Sequence, residues 1–189
     1  MKSFVILLGG IIFLSTAVSL HAGEVIFYGA TQKPGKLTWS SATNVSNDLL
    51  KGDYGGTFGI RLPSKRKIGF EQNISYSPRF AKPGNKAFQL DSNLILQVPG
   101  KITPYATAGM GYIKTWGRDY PLDLNPLDIA ASAFNFGKKF SYNYGGGIKV
   151  RKILGPLGFN IDLRGYSVPN VHDDDLSFLQ TSFGAILSW

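Results

Sequence analysis

Apolar residues recur at every second position along most of the chain after residue 22, and this period is typical of β-strands with one apolar and one polar face. The clearest example is Phe159–Arg164, which reads FNIDLR. The first segment, Glu24–Thr31, has no clean polar face. The pattern predicts eight strands of about ten residues, the length that a tilted strand needs to cross a bilayer: Glu24–Thr31, Tyr54–Leu62, Ile68–Tyr76, Phe88–Val98, Thr103–Lys114, Phe140–Val150, Phe159–Tyr166 and Leu179–Trp189.

The predicted connections alternate between long and short. Up-and-down barrels of the outer membrane have this rhythm, with short periplasmic turns and longer external loops, whereas a soluble sandwich has no reason for it. We therefore expect an all-β fold, an eight-stranded antiparallel up-and-down transmembrane β-barrel with both termini periplasmic. The long connections are Gln32–Gly52, Ser77–Lys86, Thr115–Lys138 and Pro169–Leu176; the short ones are Pro63–Lys67, Pro99–Ile102 and Lys152–Pro156.

The polar faces of the strands hold glycines, asparagines and charges of both signs. In a membrane barrel these faces line the lumen and the apolar faces contact lipid. Opposite charges suit a narrow lumen because they can pair once they are removed from bulk water. The sequence predicts an interior filled by side chains, with a polar network of Arg61, Glu71, Asp91, Lys149, Asp162 and Arg164.

Aromatic residues lie at the ends of the predicted strands, where they could form two interfacial girdles. The last strand directs Phe183, Leu187 and Trp189 to its apolar face. A terminal aromatic strand resembles the signal that the outer-membrane barrel-assembly machinery reads. The candidate girdle residues are Tyr54, Tyr76, Phe88, Tyr112, Phe140, Tyr142, Phe159 and Trp189.

Residues 1–22 have the pattern of a cleaved secretory signal peptide. Lys2 precedes an apolar run over Phe4–Leu20, and small residues follow it. The alternative is a retained membrane anchor. We expect residues 23–189 to form one barrel domain that is exported to the bacterial outer membrane. The absence of cysteine excludes disulfides, thiol catalysis and Cys-ligated zinc.

Four stretches carry a resemblance to a known family. They read GGTFG at residues 55–59, TPYATAGMG at residues 103–111, YGGGIK at residues 144–149 and SFGAILSW at residues 182–189. With these stretches, residues 23–189 resemble the small eight-stranded outer-membrane proteins of the OmpA transmembrane-domain and OmpX kind. The resemblance implies this fold and location. It does not imply peptidoglycan binding, because the family members with that activity carry a separate module after the barrel and this sequence stops at Trp189.

The sequence contains no P-loop, dinucleotide fingerprint or zinc-site spacing, so we expect no cofactor, no metal and no catalytic residues. His172 and the acidic run Asp173–Asp175 could hold a divalent cation, although a solvated loop explains them better. Lipid A deacylases are outer-membrane barrels with a catalytic histidine, but no His-x-Ser spacing occurs here. In the third long loop, Asn125 and Pro126 predict the start of a short helix that packs over the barrel mouth, lies at the membrane surface or only covers its own loop.

The formal net charge of +8 does not indicate nucleic-acid binding, because the basic residues are scattered rather than aligned in a stripe. The expected partners are outer-membrane lipid and lipopolysaccharide, the assembly machinery, and a surface ligand of unknown kind. We expect a non-enzymatic protein with a structural or surface-interaction role. The alternatives are a narrow channel, a lipid A-modifying enzyme and a soluble periplasmic lipocalin-like barrel for an apolar ligand. Candidate lipopolysaccharide contacts are Lys33, Lys36, Lys82, Lys86, Arg118 and Lys138.

Overall fold

The alternating pattern produces eight β-strands in the computed structural model, which describes residues 23–35, 37, 51–117, 131–172 and 174–189. Within these residues no helix is long and apolar enough to cross a membrane. The strands are β1 (Glu24–Pro34), β2 (Gly55–Pro63), β3 (Ile68–Arg79), β4 (Lys86–Gln97), β5 (Ile102–Trp116), β6 (Lys138–Leu154), β7 (Leu157–Val171) and β8 (Asp174–Ser188).

The strands form a closed antiparallel barrel in which each pairs with its neighbours in sequence. Closure is made by β1 and β8, whose register runs from Glu24 opposite Ser188 to Pro34 opposite Phe178. A closed barrel leaves no unpaired strand edge, so its backbone hydrogen bonds are satisfied without water. The predicted eight-stranded up-and-down barrel is confirmed.

The polarity of the barrel is the inverse of that of a soluble protein. Large apolar side chains lie exposed on the outer surface, among them Phe70 (45%), Leu94 (44%) and Ile161 (44%), while Arg61 and Arg164 are fully buried inside. An apolar exterior around a polar interior is the arrangement of a membrane-spanning barrel. The soluble lipocalin-like alternative does not fit, because it needs an apolar interior.

The two ends of the barrel differ. The loop end, as we call it, carries the connections β1–β2, β3–β4, β5–β6 and β7–β8. The turn end carries the other three connections together with Gly23 and Trp189, whose backbones are joined by a hydrogen bond from Trp189 N to Gly23 O of 2.8 Å. The first and third loop-end connections are long, as predicted.

The prediction of a long loop over Pro169–Leu176 is wrong. Strand β7 continues to Val171 and β8 begins at Asp174, so the two strands form an extended hairpin. Asn170 and His172 take positive φ angles of 57° and 58°, a conformation that asparagine and histidine tolerate better than most residues. The polar residues that suggested a loop therefore build a tight turn. The β3–β4 connection is also shorter than predicted, and β6, β7 and β8 have 17, 15 and 15 residues rather than about ten.

Candidate functional site in the barrel lumen

Two arginines and two carboxylates form a chain of ion pairs across the lumen. Arg61 Nη2 lies 3.1 Å from Asp162 Oδ1, and Asp162 Oδ1 lies 2.8 Å from Arg164 Nε. Arg164 Nη1 lies 2.7 Å from Glu71 Oε1. All four side chains are fully buried, so each charge removed from water has an opposite partner. The chain of pairs ties β2, β7 and β3 together through the interior.

Aromatic and amide side chains hold these charges in place. Arg61 donates from Nη1 to Asn160 Oδ1 at 3.2 Å, and its guanidinium lies 4.0 Å from the centroid of the Tyr28 ring. The Tyr105 hydroxyl donates to Asp162 Oδ2 at 2.5 Å. Charge-assisted bonds of this kind compensate for the loss of hydration.

A second charged group closes the turn end. Glu24 pairs with Lys149, whose Nζ lies 3.1 Å from Glu24 Oε1, and accepts a hydrogen bond from Arg151 Nε. Arg151 also donates from Nη1 to Thr103 Oγ1 at 2.6 Å. This group joins β1 to β5 and β6.

Asp91 lies apart from both groups. Its Oδ2 accepts a hydrogen bond from Asn73 Nδ2 at 2.7 Å and lies 3.4 Å from the Tyr166 hydroxyl. The structure thus places all six predicted residues inside the barrel but divides them among three surroundings. The described lumen holds four acids and four cations, which balance: Glu24, Glu71, Asp91 and Asp162 against Arg61, Lys149, Arg151 and Arg164.

The loop end of the lumen is closed by apolar side chains, which we call the mouth cluster. The rings of Tyr166 and Phe178 stack at a centroid distance of 4.7 Å within it. The predicted polar lumen therefore describes the middle and the turn end of the barrel, whereas the loop end has an apolar core. The mouth cluster consists of Leu37, Phe80, Ala81, Ala87, Ile113, Ala133, Phe134, Tyr166, Val168, Val171, Leu176 and Phe178.

The β5–β6 connection contributes to this closure. Ala133 and Phe134 are fully buried in the mouth cluster. Asn85 Nδ2 donates to the Ala131 carbonyl at 2.7 Å, and His172 Nε2 lies 2.8 Å from the Ala133 carbonyl oxygen. The predicted helix start at Asn125 and Pro126 lies outside the described residues, but the described end of this connection does pack over the mouth.

The residues predicted as an assembly signal face outward on β8. Phe183 and Leu187 are exposed, and so is Trp189, which directly follows the strand. Their role in assembly stays a prediction. The girdle candidates also lie on the outer surface, with Tyr54 and Tyr142 near the loop end and Phe159 near the turn end.

The acidic run of the β7–β8 turn makes bonds within that turn. Asp175 accepts a hydrogen bond from the Asn170 backbone N–H at 3.0 Å, and Asp174 accepts one from the Asp175 N–H at 2.8 Å. Asp173 lies outside the described residues. Within the described part of the chain, no group of three or more acidic or histidine side chains could hold a metal ion.

The candidate lipopolysaccharide contacts are distributed around the loop end. Lys33, Lys86 and Lys138 are exposed, whereas Lys82 lies 3.5 Å from Asp53 in an ion pair. Lys36 and Arg118 lie outside the described residues.

Among the residues that pair with or contact the lumen charges, sequence reasoning missed Glu24, Arg151, Tyr28 and Tyr105. The pattern ends the sixth strand at Val150 and so leaves out Arg151, although its odd position places it on the same face as Lys149. Glu24 was missed because β1 has apolar residues on both faces. Tyr28 and Tyr105 occupy inward positions but count as apolar in a hydropathy pattern, so only their hydroxyl groups could have indicated their place.

Comparison with solved structures identifies the fold. The crystal structure of Neisserial surface protein A (NspA) matches with a TM-score of 0.62 at 12% identity, covering 88% of this chain and 97% of that one. The crystal structure of the outer membrane enzyme PagL matches with a TM-score of 0.52 at 14% identity, covering 84% and 97%. No family model matches the chain, and no curated protein matches its sequence. The expected resemblance is thus confirmed at the level of fold: the chain is an eight-stranded transmembrane β-barrel with the fold of the small outer-membrane barrels.

Proposed function

We propose that this chain is a closed, non-enzymatic barrel of the bacterial outer membrane that acts through the surface of its loop end. The closed lumen supports this proposal most directly. Three side-chain layers follow one another along the bore: the Glu24 group, the Arg61–Asp162–Arg164–Glu71 chain and the mouth cluster. Eight strands enclose an interior only just wide enough for side chains, so these layers disfavour a path for a hydrated solute.

Conductance and folding tests address this role. We expect the purified chain to migrate differently in detergent gels before and after boiling, as a folded barrel does, and to insert into planar bilayers without conducting ions. Stable single-channel openings would instead support the narrow channel. Identical migration together with recovery in the soluble fraction would contradict the membrane barrel itself.

The loop end is proposed to face the cell exterior and the turn end the periplasm, after removal of residues 1–22. Outer-membrane barrels carry their longer connections outside. The chain has no cysteine, so single cysteines can report orientation. In intact cells, a membrane-impermeant maleimide should label Lys138→Cys at the loop end but label Lys101→Cys at the turn end only after lysis. The reverse pattern would contradict this orientation.

The proposed partners during biogenesis are the barrel-assembly machinery and outer-membrane lipid. Phe183, Leu187 and Trp189 form an outward apolar row beside the β1–β8 closure, which supports their reading as an assembly signal. Trp189→Ala should lower the fraction of the chain that reaches the folded band in cells, whereas the equally outward Ile161→Ala should not. Equal loss from both variants would indicate a general effect on lipid contact.

A further inference from the structure

Two shallow grooves on the outer surface meet near the loop end of β1. One, of about 560 Å³, runs over β1, β8, β7 and β6, and the other, of about 550 Å³, lies beside β2 and β3. Lys33 and Lys51 line both grooves, and Arg79 lines the second. The grooves therefore share a basic rim.

The basic rim holds cations whose charge is not cancelled by the one carboxylate beside them. Lys33, Lys51 and Arg79 are exposed, and no ion pair joins any of the three to an acid among the described residues. Asp53 lines the same groove but lies 3.5 Å from Lys82 Nζ. Lys33 Nζ lies 5.2 Å from the centroid of the Tyr54 ring. Three exposed cations in one cleft favour an anionic ligand.

Backbone hydrogen bonds fix the position of this rim. The Gly52 N–H donates to the Gly35 carbonyl at 3.0 Å, and the Asp53 N–H donates to the Ala81 carbonyl. The Gly35 N–H donates to the Ser177 carbonyl at 2.7 Å. Lys51 is thus held over the barrel wall rather than carried on a free tip, which lowers the entropic cost of binding.

The first groove continues from the basic rim onto the apolar belt. The strand register places Lys33 opposite Leu179, Leu179 opposite Gly165, and Gly165 opposite Tyr144. Leu179 and Tyr144 are exposed to 48% and 69%. Because Gly165 has no side chain, the Tyr144 ring can lie close over it, 3.2 Å from where a Cβ would be, and both residues line the groove together with Leu179.

We propose that this cleft binds the phosphorylated headgroup of an outer-leaflet lipid. The phosphate lies among Lys33, Lys51 and Arg79, and an acyl chain follows the groove between Leu179 and the Tyr144 ring. The proposal rests on the proposed function, because it requires the loop end to lie at the outer leaflet. A basic rim directly above an apolar channel matches an amphiphile better than a free anion, which would use only the cations.

The test measures lipid retention by native mass spectrometry of the folded chain in detergent. The probes are bisphosphorylated lipid A, dephosphorylated lipid A and inorganic phosphate. We expect the phosphorylated lipid to be retained over the dephosphorylated one. Removal of one rim cation should weaken the binding of the phosphorylated lipid about five-fold. Removal of two, in the variant Lys33→Gln with Arg79→Gln, should weaken it roughly 25-fold. The matched control is Lys67→Gln with Lys101→Gln, two exposed lysines at the turn end.

A second pair of variants tests the acyl channel without changing charge. Gly165→Leu should push the Tyr144 ring from its place over Gly165, disturb the wall of the groove and weaken lipid A binding, whereas Gly29→Leu, at an outward position with open space around it, should not. Three outcomes would overturn the proposed site. The chain could retain both lipid A forms equally, or the lysine control could lose as much lipid A binding as the rim variants. Inorganic phosphate at an equimolar concentration could also displace the lipid. If the chain still migrates as a folded band in detergent gels, these results would leave the proposed closed barrel unaffected. Loss of the folded band in the unmodified chain would overturn both proposals.

Discussion

Arg164 is the side chain on which the lumen charges depend most, because it contacts two carboxylates. Its guanidinium lies within 2.8 Å of both Asp162 and Glu71. Removal of one partner of a buried ion pair leaves a charge that neither water nor protein compensates. Arg164→Met should therefore lower the free energy of unfolding by about 3 to 5 kcal/mol, measured by urea titration in lipid vesicles.

The control for this prediction is Arg66→Met, which removes an exposed cation at the turn end and should change stability by less than about 1 kcal/mol. The double variant Arg164→Met with Glu71→Met should regain part of the loss, because one orphaned carboxylate is gone. A loss from Arg164→Met no larger than that from Arg66→Met would show that the lumen charges are hydrated.

The sequence could predict that these charges lie inside, but not how they pair. Alternation along a strand fixes which face a residue occupies, and this was enough to place Arg61, Asp91 and Lys149 in the lumen. Pairing depends on register and stagger between strands distant in sequence, such as the contact of Arg61 with Asp162. Lys149 finds its partner in Glu24, on a strand whose pattern showed no polar face.

At the scale of the strand, close packing in β6 depends on its glycines. A Cβ at Gly147 would overlap the carbonyl oxygen of Ile161 on β7, whereas a Cβ at Gly29 on β1 meets nothing within 4 Å. Gly147→Ala should therefore cost about 1 to 3 kcal/mol through overpacking. Gly29→Ala should be neutral or slightly stabilising, because it restricts the unfolded chain. Denaturant titration of both variants checks this, and equal stabilities would show that β6 and β7 can separate to accept the methyl group.

The β5–β6 connection is anchored by Phe134, which is fully buried in the mouth cluster. Truncation of a buried phenylalanine costs about 3 kcal/mol or more of stability. Here the truncation weakens the packing of the β5–β6 connection against the mouth cluster. Phe134→Ala should raise the rate of chymotryptic cleavage at Phe136, which packs against the mouth cluster, at least about ten-fold, because cleavage follows the population of the open state. Asn135→Ala, at a half-buried position beside it, is the control. Unchanged cleavage would show that the connection is held by other contacts.

Element boundaries at this end were the least predictable part of the fold. The residues around Asn170 are polar and include a proline, a composition typical of loops. The apolar residues Val168, Val171 and Leu176 continue the inward face, but their hairpin rises beyond the region of strict alternation. They form strands because they complete the mouth cluster. This packing depends on contacts between residues distant in sequence, so the local sequence pattern does not predict it.

For the whole molecule, the average hydropathy is uninformative because the two faces cancel. Read at every second position, the same sequence separates a lipid-facing surface from a lumen, and this is why the architecture could be predicted. The apolar mouth cluster could not be predicted, since it reverses the polarity of the lumen at the loop end. The interior of the barrel is therefore filled by charged side chains in its middle and by apolar side chains at its loop end.

The balance of charge in the lumen leads to a prediction for the entire barrel. Its four acids and four cations cancel, so the described lumen adds nothing to the formal net charge of +8. Salt screens exposed charges strongly and buried pairs weakly. In vesicles of zwitterionic lipid, raising NaCl from about 0.05 M to about 1 M should change the free energy of unfolding by less than about 1 kcal/mol, measured by urea titration. A water-filled bore would expose the same pairs to salt, so a steep loss of stability with NaCl would contradict the closed lumen even in a barrel that shows no conductance.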